Sequence, residues 1–543
     1  MNWQIQQILR NRRMAEKGSI PQGSGGSLSI CLVYPHYYST AMSSLGFQSV
    51  YRLFNEQPGV VCERAFLPDS RELVLYKKTG ETLVSLENER PLSDFDVVAF
   101  SVSFEPDFIN IPVILRLSRI PVLAIERDES YPLILAGGAA CFINPEPAAD
   151  FFDIIAVGEG ESLIPLISDF IVGHLDSHRQ KLLQAASFLP GIYVPSIPLS
   201  TPVVKASAPK DSLPSSSVVI TENTEFGNMY LIEVSRGCPR GCRFCAAGFV
   251  WQPFRQQQLD VLKDECRKGL THRSTIGLVG AAVSDYRWLE ELCSFIVEEG
   301  GIPSPSSLRV DRLTPRLLDI LVKSGHKTIS LAPEGGSQRM RDMIRKNLTE
   351  EQILDAAESV ARAGILNLRL YFIIGLPGET EQDLQELVRL VSEVQKRVVE
   401  QARTHKRLGE ITLSVNPFIP KPFTPLQWAA FCPIDELKRK VAMLEKELRP
   451  ISNVRLKVED IHGCLLQALL SRGGRELNPV ILKMSEGVNL RKAAKACNID
   501  PFNLVTSKLP LEALLPWDVI LATERDRLVA EYRSAMEIIG VNI

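Results

Sequence analysis

The chain has 543 residues, 45% of them hydrophobic, and a formal net charge of −3. This length exceeds what one hydrophobic core supports, so several domains are expected. The charge gives no support to nucleic-acid binding, and neither a signal peptide nor a membrane-length apolar run is recognisable. We therefore expect a cytoplasmic protein with no membrane partner, and a nucleic-acid partner is not favoured.

The first part of the chain combines a short extension with a predicted α/β domain. GSIPQGSGGS at 18–27 has the composition of a flexible linker, so residues 1–27 are assigned to an N-terminal extension. Short apolar runs predict strands, with helical stretches between several of them, at 28–34, 60–67, 97–103, 133–136 and 154–157. This alternation predicts a Rossmann-like domain with a parallel sheet over residues 28–185.

A second α/β region is predicted after a connector rich in Pro and Ser at 186–225. Over 226–430, strands are predicted at 229–235, 275–282, 306–310, 328–331, 368–374 and 411–415. Thr314-Pro315 predicts a helix start, and Thr349 with Gln352 predicts a capping box. Six β/α units favour a partial (β/α)6 barrel over a closed barrel of eight. Residues 431–543 are predicted to be mainly helical.

Three cysteines lie within eight residues, in the segment Ser235-Arg-Gly-Cys238-Pro-Arg-Gly-Cys242-Arg-Phe-Cys245. Three thiolates on one loop can bind three irons of a [4Fe–4S] cluster. The fourth iron then stays open to a small molecule with amino and carboxylate groups, such as S-adenosylmethionine. One electron delivered there would break the S–C5′ bond and produce a 5′-deoxyadenosyl radical, a reaction that the cofactors carry and the protein positions.

Two other metal sites would use the same cysteines. A structural zinc site needs four ligands, and the next candidates along the chain, Cys266 and His272, are not nearby in sequence. A closed four-cysteine cluster would likewise need a partner from far away. The spacing therefore favours the cluster with one open iron.

The spacing C-x3-C-x2-C, with Phe244 before the last cysteine and a strand before the loop, resembles the radical SAM superfamily. The resemblance extends over nearly the whole chain, to LAGGAACFINPEP (135–147), FFDIIAVGEGE (151–161), TEFGN (224–228), APEGGSQRMRD (332–342), YFIIGLPGET (371–380) and NPFIPKPFTPLQW (416–428). Within the superfamily, these segments are similar to a largely uncharacterised branch with an N-terminal cobalamin-binding-type domain.

The resemblance implies cofactor contacts. Cys238, Cys242 and Cys245 would bind the cluster, and Phe244 would lie against the adenine. Further contacts to S-adenosylmethionine would come from Gly280 and Ala281 through the backbone, from the polar side chains Arg309, Glu334, Ser337 and Arg339, and from the segment that includes Tyr371 and Gly375. Two structural alternatives stay open: Glu334 and Arg339 can form an ion pair with each other, and Gly375-Leu-Pro-Gly378 can simply end a strand.

Cobalamin is a further candidate cofactor that the resemblance implies. Gly137, Gly138 and Gly158 stand where small residues would let a large ligand approach a strand end. The D-x-H-x-x-G motif that supplies an axial histidine is absent, and the loop histidine His36 does not match it. The domain can therefore equally be a degenerate lid.

Radical modification of an unidentified substrate is the predicted function, with cobalamin-dependent methyl transfer as its favoured form. An electron donor such as a flavodoxin or ferredoxin is the implied partner. One alternative is RNA modification of the methylthiotransferase type, although the N-terminal cysteines Cys31, Cys62 and Cys141 are scattered rather than clustered. The other is a non-catalytic protein that binds a cluster or cobalamin.

Overall fold

The computed structural model describes residues 2–18, 20, 26–209, 212, 214–306 and 308–541. Most of the linker predicted at 18–27 lies outside the described residues. The strands are β1 (Leu28–Tyr34), β2 (Val60–Phe66), β3 (Val97–Ser101), β4 (Leu133–Gly137), β5 (Ile154–Ala156), β6 (Ile192–Tyr193), β7 (Val203–Val204), β8 (Met229–Glu233), β9 (Ser235–Arg236), β10 (Arg255–Gln256), β11 (Thr275–Val279), β12 (Ile302–Pro305), β13 (Thr328–Glu334), β14 (Asn367–Ile374), β15 (Ile411–Pro417), β16 (Val454–Val458) and β17 (Ile520–Leu521).

The helices complete the α/β alternation. They are α1 (Trp3–Ala15), α2 (Tyr38–Met42), α3 (Leu45–Asn55), α4 (Ser70–Thr79), α5 (Asn110–Leu117), α6 (Ala139–Ile143), α7 (Gly160–Val172), α8 (Arg179–Ala186), α9 (Leu259–Leu270), α10 (Leu289–Glu298), α11 (Pro315–Lys323), α12 (Gln338–Met343), α13 (Glu350–Arg362), α14 (Glu381–Thr404), α15 (Ile434–Leu448), α16 (Ile461–Arg472), α17 (Asn478–Ser485), α18 (Leu490–Ala496), α19 (Pro501–Thr506) and α20 (Arg525–Ile538). In the part of the chain that the structure describes, no helix is long and apolar enough to span a membrane.

The chain divides into two compact units, and the first contains the chain up to Leu231 with the later segments Leu470–Pro501 and Leu514–Ala522. Its sheet has the order β2-β1-β3-β4-β5-β6. All pairs are parallel except β5 with β6. The side chains of β1 and β3 are almost all buried, as expected for central strands of a parallel sheet with helices on both faces. The predicted parallel α/β sheet is confirmed.

The segment 186–225, predicted to be an extended connector, contains two short strands. β6 extends the first sheet, β7 pairs with β17, and Gly158 forms a bridge to Ala206. Its prolines are compatible with this role because short edge segments need few backbone donors. Composition alone predicted an extended chain, but the unpaired edge of β5 provides a partner for it.

The second unit contains Ile232–Leu469, Phe502–Ala513 and the chain from Thr523 onward. Two further sheets have the orders β12-β11-β8 and β13-β14-β15-β16. The pairs β11–β12, β13–β14, β14–β15 and β15–β16 are parallel. The helix signals are confirmed: Thr314 caps α11, and Thr349 with Gln352 forms a capping box at α13. This alternation of parallel strands and helices places the carboxyl ends of the strands along one edge.

Two strand assignments differ from prediction. The third strand is β12 at 302–305 rather than at 306–310, and it tolerates Pro303 and Pro305 because it lies at a sheet edge. The strand β16 was missed within a region predicted to be helical. Its V-R-L-K-V sequence alternates half-buried apolar residues with the exposed Arg455 and Lys457, and the strand pairs with β15.

Candidate functional site

The cysteine loop follows the strands β8 and β9, and a glycine and a glutamine side chain maintain its shape. Gly237 has φ +81°, and a side chain there would collide with the carbonyl oxygen of Trp251. The amide of Gln252 donates to the carbonyl oxygens of Cys238 at 2.7 Å and Gly248 at 2.8 Å. A left-handed glycine and a two-point side-chain bridge therefore give the loop one defined shape.

The loop gathers its three thiols. Cys242 is 9% exposed, Cys238 and Cys245 are half-buried, and all three are free thiols. The backbone N–H of Cys245 donates to the carbonyl oxygen of Cys242 at 3.1 Å. Burial raises the pKa of Cys238 and raises that of Cys245 to about 11, and in each case the neighbouring thiols add to the effect. The three sulfurs are thus within electrostatic reach of one another.

The donor set suits an iron–sulfur cubane. Among the described residues, no three Cys, His, Asp or Glu side chains converge on a point that could hold one metal ion. A cubane does not require such a point, because each of its protein thiolates binds a different iron. Metal binding would release the thiol protons, since only the thiolate is a ligand.

Charged residues around the loop are paired with one another. Arg240, inside the loop, forms an ion pair with Asp285, its Nε lying 3.0 Å from Oδ2. Its Nη1 also lies 3.6 Å from Asp311. Arg309 donates from Nε to Asp311 at 2.8 Å, and it follows β12 instead of lying on it. The side chain of Arg309 is therefore engaged with the loop's ion pairs.

Glu334 ends the strand β13 close to the cysteines, and its carboxylate contributes to the raised pKa of Cys245. Its φ of +64° is uncommon for a residue with a side chain. The nearly buried ammonium of Lys346 lies 3.4 Å from Oε1 of Glu334. Lys346 was not predicted from the sequence, because its partner is 12 residues away and no periodic pattern links the two.

Ser337 and Arg339 converge on a different residue, Asp383. Ser337 caps α12 and donates from Oγ to Asp383 at 2.6 Å. Arg339 forms an ion pair with the same carboxylate and donates to the carbonyl oxygen of Gly378 at 2.9 Å. The alternative of a Glu334–Arg339 ion pair is wrong, because each residue has another partner.

Two glycines that were predicted to contact S-adenosylmethionine lie where a side chain would collide with neighbouring parts of the chain. A side chain at Gly280 would lie 2.9 Å from Oγ of Ser235, a buried hydroxyl with no hydrogen-bond partner among the described residues. Gly375 has φ +74°, donates to Glu379 at 2.7 Å and would contact Cβ of Cys432 at 2.8 Å if it carried a side chain. Ala281 is exposed, whereas Phe244 and Tyr371 are half-buried. Their contacts to S-adenosylmethionine stay predictions.

Two family models match the chain. The model described as radical SAM superfamily matches residues 232–391, which include the cysteine loop, and one described as radical SAM proteins, N-terminal, matches residues 46–195. The chain belongs to the radical SAM superfamily. A [4Fe–4S] cluster and S-adenosylmethionine are accordingly its cofactors, and the cysteine loop has the thiols that such a cluster needs.

Similar proteins span several activities within the superfamily. An uncharacterized protein of Methanocaldococcus jannaschii, MJ0966, is 29% identical over 86% of this chain and 94% of its own length. The ribosomal protein uS12 methylthiotransferase RimO of Parabacteroides distasonis is 26% identical over 30% of this chain and 41% of its own. The cytidylyl-2-hydroxyethylphosphonate methyltransferase of Streptomyces wedmorensis is 24% identical over 54% and 63%. The chain spans less than two thirds of the last two proteins.

Two of the glycines predicted to admit cobalamin pack tightly against neighbouring backbone. Gly138 has φ +100°, and a side chain there would lie 2.5 Å from the carbonyl oxygen of Val102. Gly158 has φ +137°, and a side chain there would lie 2.6 Å from the backbone nitrogen of Ala206. Gly137 has ordinary contacts. Close packing against the chain's own backbone thus accounts for the glycines at 138 and 158, and their contact with cobalamin stays a prediction.

Proposed function

We propose that this chain cleaves S-adenosylmethionine reductively at a cluster held by Cys238, Cys242 and Cys245, and that the cleavage starts radical modification of a substrate. When bound, the cluster and S-adenosylmethionine supply one-electron cleavage of a carbon–sulfur bond. The observation that supports the proposal is the set of three neighbouring thiols on one loop, whose shape Gly237 and Gln252 maintain. A flavodoxin or ferredoxin is the proposed electron donor.

Lys346 and Glu334 are the side chains that we assign to the methionyl end and ribose of S-adenosylmethionine. The Lys346 ammonium is almost buried, and at 3.4 Å its contact with Glu334 is long for a charge-assisted hydrogen bond. A ligand carboxylate would supply a closer anion for Lys346. The Glu334 carboxylate would then be available to accept from ribose hydroxyls.

Anaerobic reconstitution tests the ligand set. The wild-type chain is expected to hold about four irons and four sulfides, whereas replacing Cys238, Cys242 or Cys245 with Ser is expected to lower that content sharply. Cys497→Ser is the matched control, because this half-buried thiol lies in the first unit. Retention of a full cluster by all three loop variants would contradict the assignment.

Turnover separates an enzyme from a carrier. The reduced, cluster-loaded chain is expected to release 5′-deoxyadenosine from S-adenosylmethionine, and the loop variants are expected to release none. Lys346→Met should weaken S-adenosylmethionine binding while leaving the iron content unchanged. A full cluster without any 5′-deoxyadenosine would instead favour the non-catalytic alternative.

Methyl transfer is the specific reaction that we propose, supported by the partial similarity to the Streptomyces wedmorensis methyltransferase. Methyl-labelled S-adenosylmethionine should then pass its label to a substrate in extract from the source cells. Label entering RNA, with binding that weakens steeply at high salt, would favour the methylthiotransferase-type alternative. Corrin absorbance in the purified chain reports separately on cobalamin.

A further inference from the structure

Arg243 lies inside the cysteine loop, between two of its thiols, and is fixed through its backbone. Its N–H donates to the carbonyl oxygen of Ile344 at 2.9 Å, and its carbonyl oxygen accepts from the N–H of Leu426 at 3.2 Å. Cys242 and Cys245 flank this residue in the sequence. Any displacement of Arg243 therefore displaces the two cysteines with it.

The side chain of Arg243 is 6% exposed, and its guanidinium reaches the helix α20. Its Nε donates to Glu531 at 2.9 Å, and its Nη2 donates to Oγ of Ser534 at 2.8 Å. Its Nη1 donates to the carbonyl oxygen of Met343 at 2.9 Å. Two of the three nitrogens thus depend on α20, and Glu531 provides the countercharge of this buried cation.

The helix α20 is itself anchored in the second unit. The ring of Tyr532 lies 5.6 Å from that of Trp428, centre to centre, and both side chains are buried. The guanidinium of Arg527 lies 5.4 Å from the ring centre of Phe249, which follows the cysteine loop. Arg345 forms a second ion pair with Glu531. The helix is therefore a rigid support rather than a loosely attached terminus.

We propose that α20 clamps the cysteine loop, with Glu531 and Ser534 as positioning residues that act through Arg243 on Cys242 and Cys245. A buried guanidinium that loses its carboxylate partner is poorly tolerated, so removal of Glu531 releases the loop. The proposal deepens the proposed function and rests on it for the role of the loop as cluster ligand. The clamp itself is a property of the chain without any cluster.

Alkylation of the cluster-free, full-length chain tests the clamp directly. Glu531→Gln is expected to raise the labelling rate of Cys242 about tenfold, because loss of a charge-assisted hydrogen bond shifts local opening by that order. Glu537→Gln is the matched control, as this exposed residue removes the same charge from the same helix. Mass spectrometry follows each cysteine, and Cys497 serves as internal reference.

The labelling outcomes decide the proposal. Equal labelling of Cys242 in Glu531→Gln and Glu537→Gln would overturn it. Faster labelling of the buried Cys293 as well would mean that the core has opened. Ser534→Ala, which removes one neutral acceptor, would then be the deciding variant. It should raise the labelling rate of Cys242 but not that of Cys293.

The cluster-loaded chain distinguishes the clamp from the proposed function. Glu531→Gln is expected to release iron to a chelator faster than wild type and to shift the electron paramagnetic resonance signature of the reduced cluster, a change that general destabilisation would not produce. An unchanged signature and release rate would overturn the link between the helix and the cluster. Accelerated labelling in a chain that never binds iron would instead uphold the clamp and refute the proposed function.

Discussion

Asp107 is a buried carboxyl whose charge state depends on its surroundings. It is 4% exposed in a turn after β3. Burial, with the neighbouring carboxylate of Glu105, raises its pKa to about 7. An unfolded Asp ionises near pH 4, so the folded chain holds an extra proton between about pH 4 and 7. Its contribution to stability therefore falls as pH rises through this window.

Asp107→Asn should remove this pH dependence. The gain in free energy of unfolding should be small near pH 4 and approach about 4 kcal/mol above pH 7. Urea unfolding of wild type and Asp107→Asn at pH 5 and pH 8 measures this gain. Asp176→Asn, at an exposed position in the same unit, should show no such difference. A gain of equal size at both pH values would refute the role of burial.

Gly138 and its neighbour Gly137 form a second test at the residue scale. Gly138→Ala forces a side chain into a left-handed conformation and against the backbone of Val102, so a loss of about 3 kcal/mol or more is expected. Gly137→Ala meets only ordinary contacts, the nearest at 3.6 Å, and should change stability by less than about 1 kcal/mol. Similar losses of unfolding free energy for the two variants, measured by denaturant unfolding, would contradict the close approach of Gly138 to the Val102 backbone.

At the scale of elements, Asp383 joins two helices of the second unit. It accepts from Ser337 at the start of α12 and from Thr380 at the start of α14. Although burial alone would raise the pKa of Asp383, these donors and Arg339 outweigh it and hold the pKa below its ordinary value. The stabilisation is thus present at neutral pH and is lost as pH falls through the folded-state pKa.

Asp383→Asn should lower the free energy of unfolding by about 3 kcal/mol at pH 7, because Arg339 loses its anion and the caps lose an acceptor. Thermal unfolding at pH 7 and pH 3.5 measures the change, which should shrink at the lower pH. Glu400→Gln, at an exposed position on α14, should stay within about 0.5 kcal/mol. If Asp383→Asn lowered the free energy of unfolding equally at both pH values, the charge of the Asp383 carboxylate would not be the source of the stabilisation.

Helix caps could be predicted from the sequence, whereas one strand could not. Thr314 and Thr349 cap helices as their local sequence predicts, because a cap joins residues only two or three positions apart. The strand β16, in which half-buried residues alternate with exposed ones, was missed, since its five residues form a strand only against β15. Local patterns predict elements whose stabilising contacts are also local.

At the scale of the whole molecule, the C-terminal region completes both units. Asn144, which is fully buried, donates to the carbonyl oxygens of Ser471 at 3.1 Å and Gly473 at 2.8 Å within the first unit. Arg475 donates to Glu146 at 2.9 Å in the same unit. The segment predicted as a separate helical region is thus divided between the two cores.

A fragment of residues 1–231 should therefore be much less stable than the first unit of the full chain. It removes the two carbonyl acceptors of the buried Asn144 amide and the Arg475 partner of the Glu146 carboxylate, at a cost of several kcal/mol. Amide hydrogen exchange should show lost protection in β1 and β3. In the full chain, Arg475→Met should reproduce part of the loss, whereas Lys495→Met, at an exposed site, should not. Full protection in the fragment would refute the prediction.

The sequence by itself determined the α/β alternation, the helix caps and the cysteine loop as the chemical centre, because each depends on spacing over a few residues. Only the tertiary structure decided that Lys346 faces Glu334, that Asp383 receives Ser337 and Arg339, and that α20 holds Arg243. A charged side chain has many candidate partners along a chain of this length. Which one it meets depends on how distant segments pack, and no local pattern records that choice.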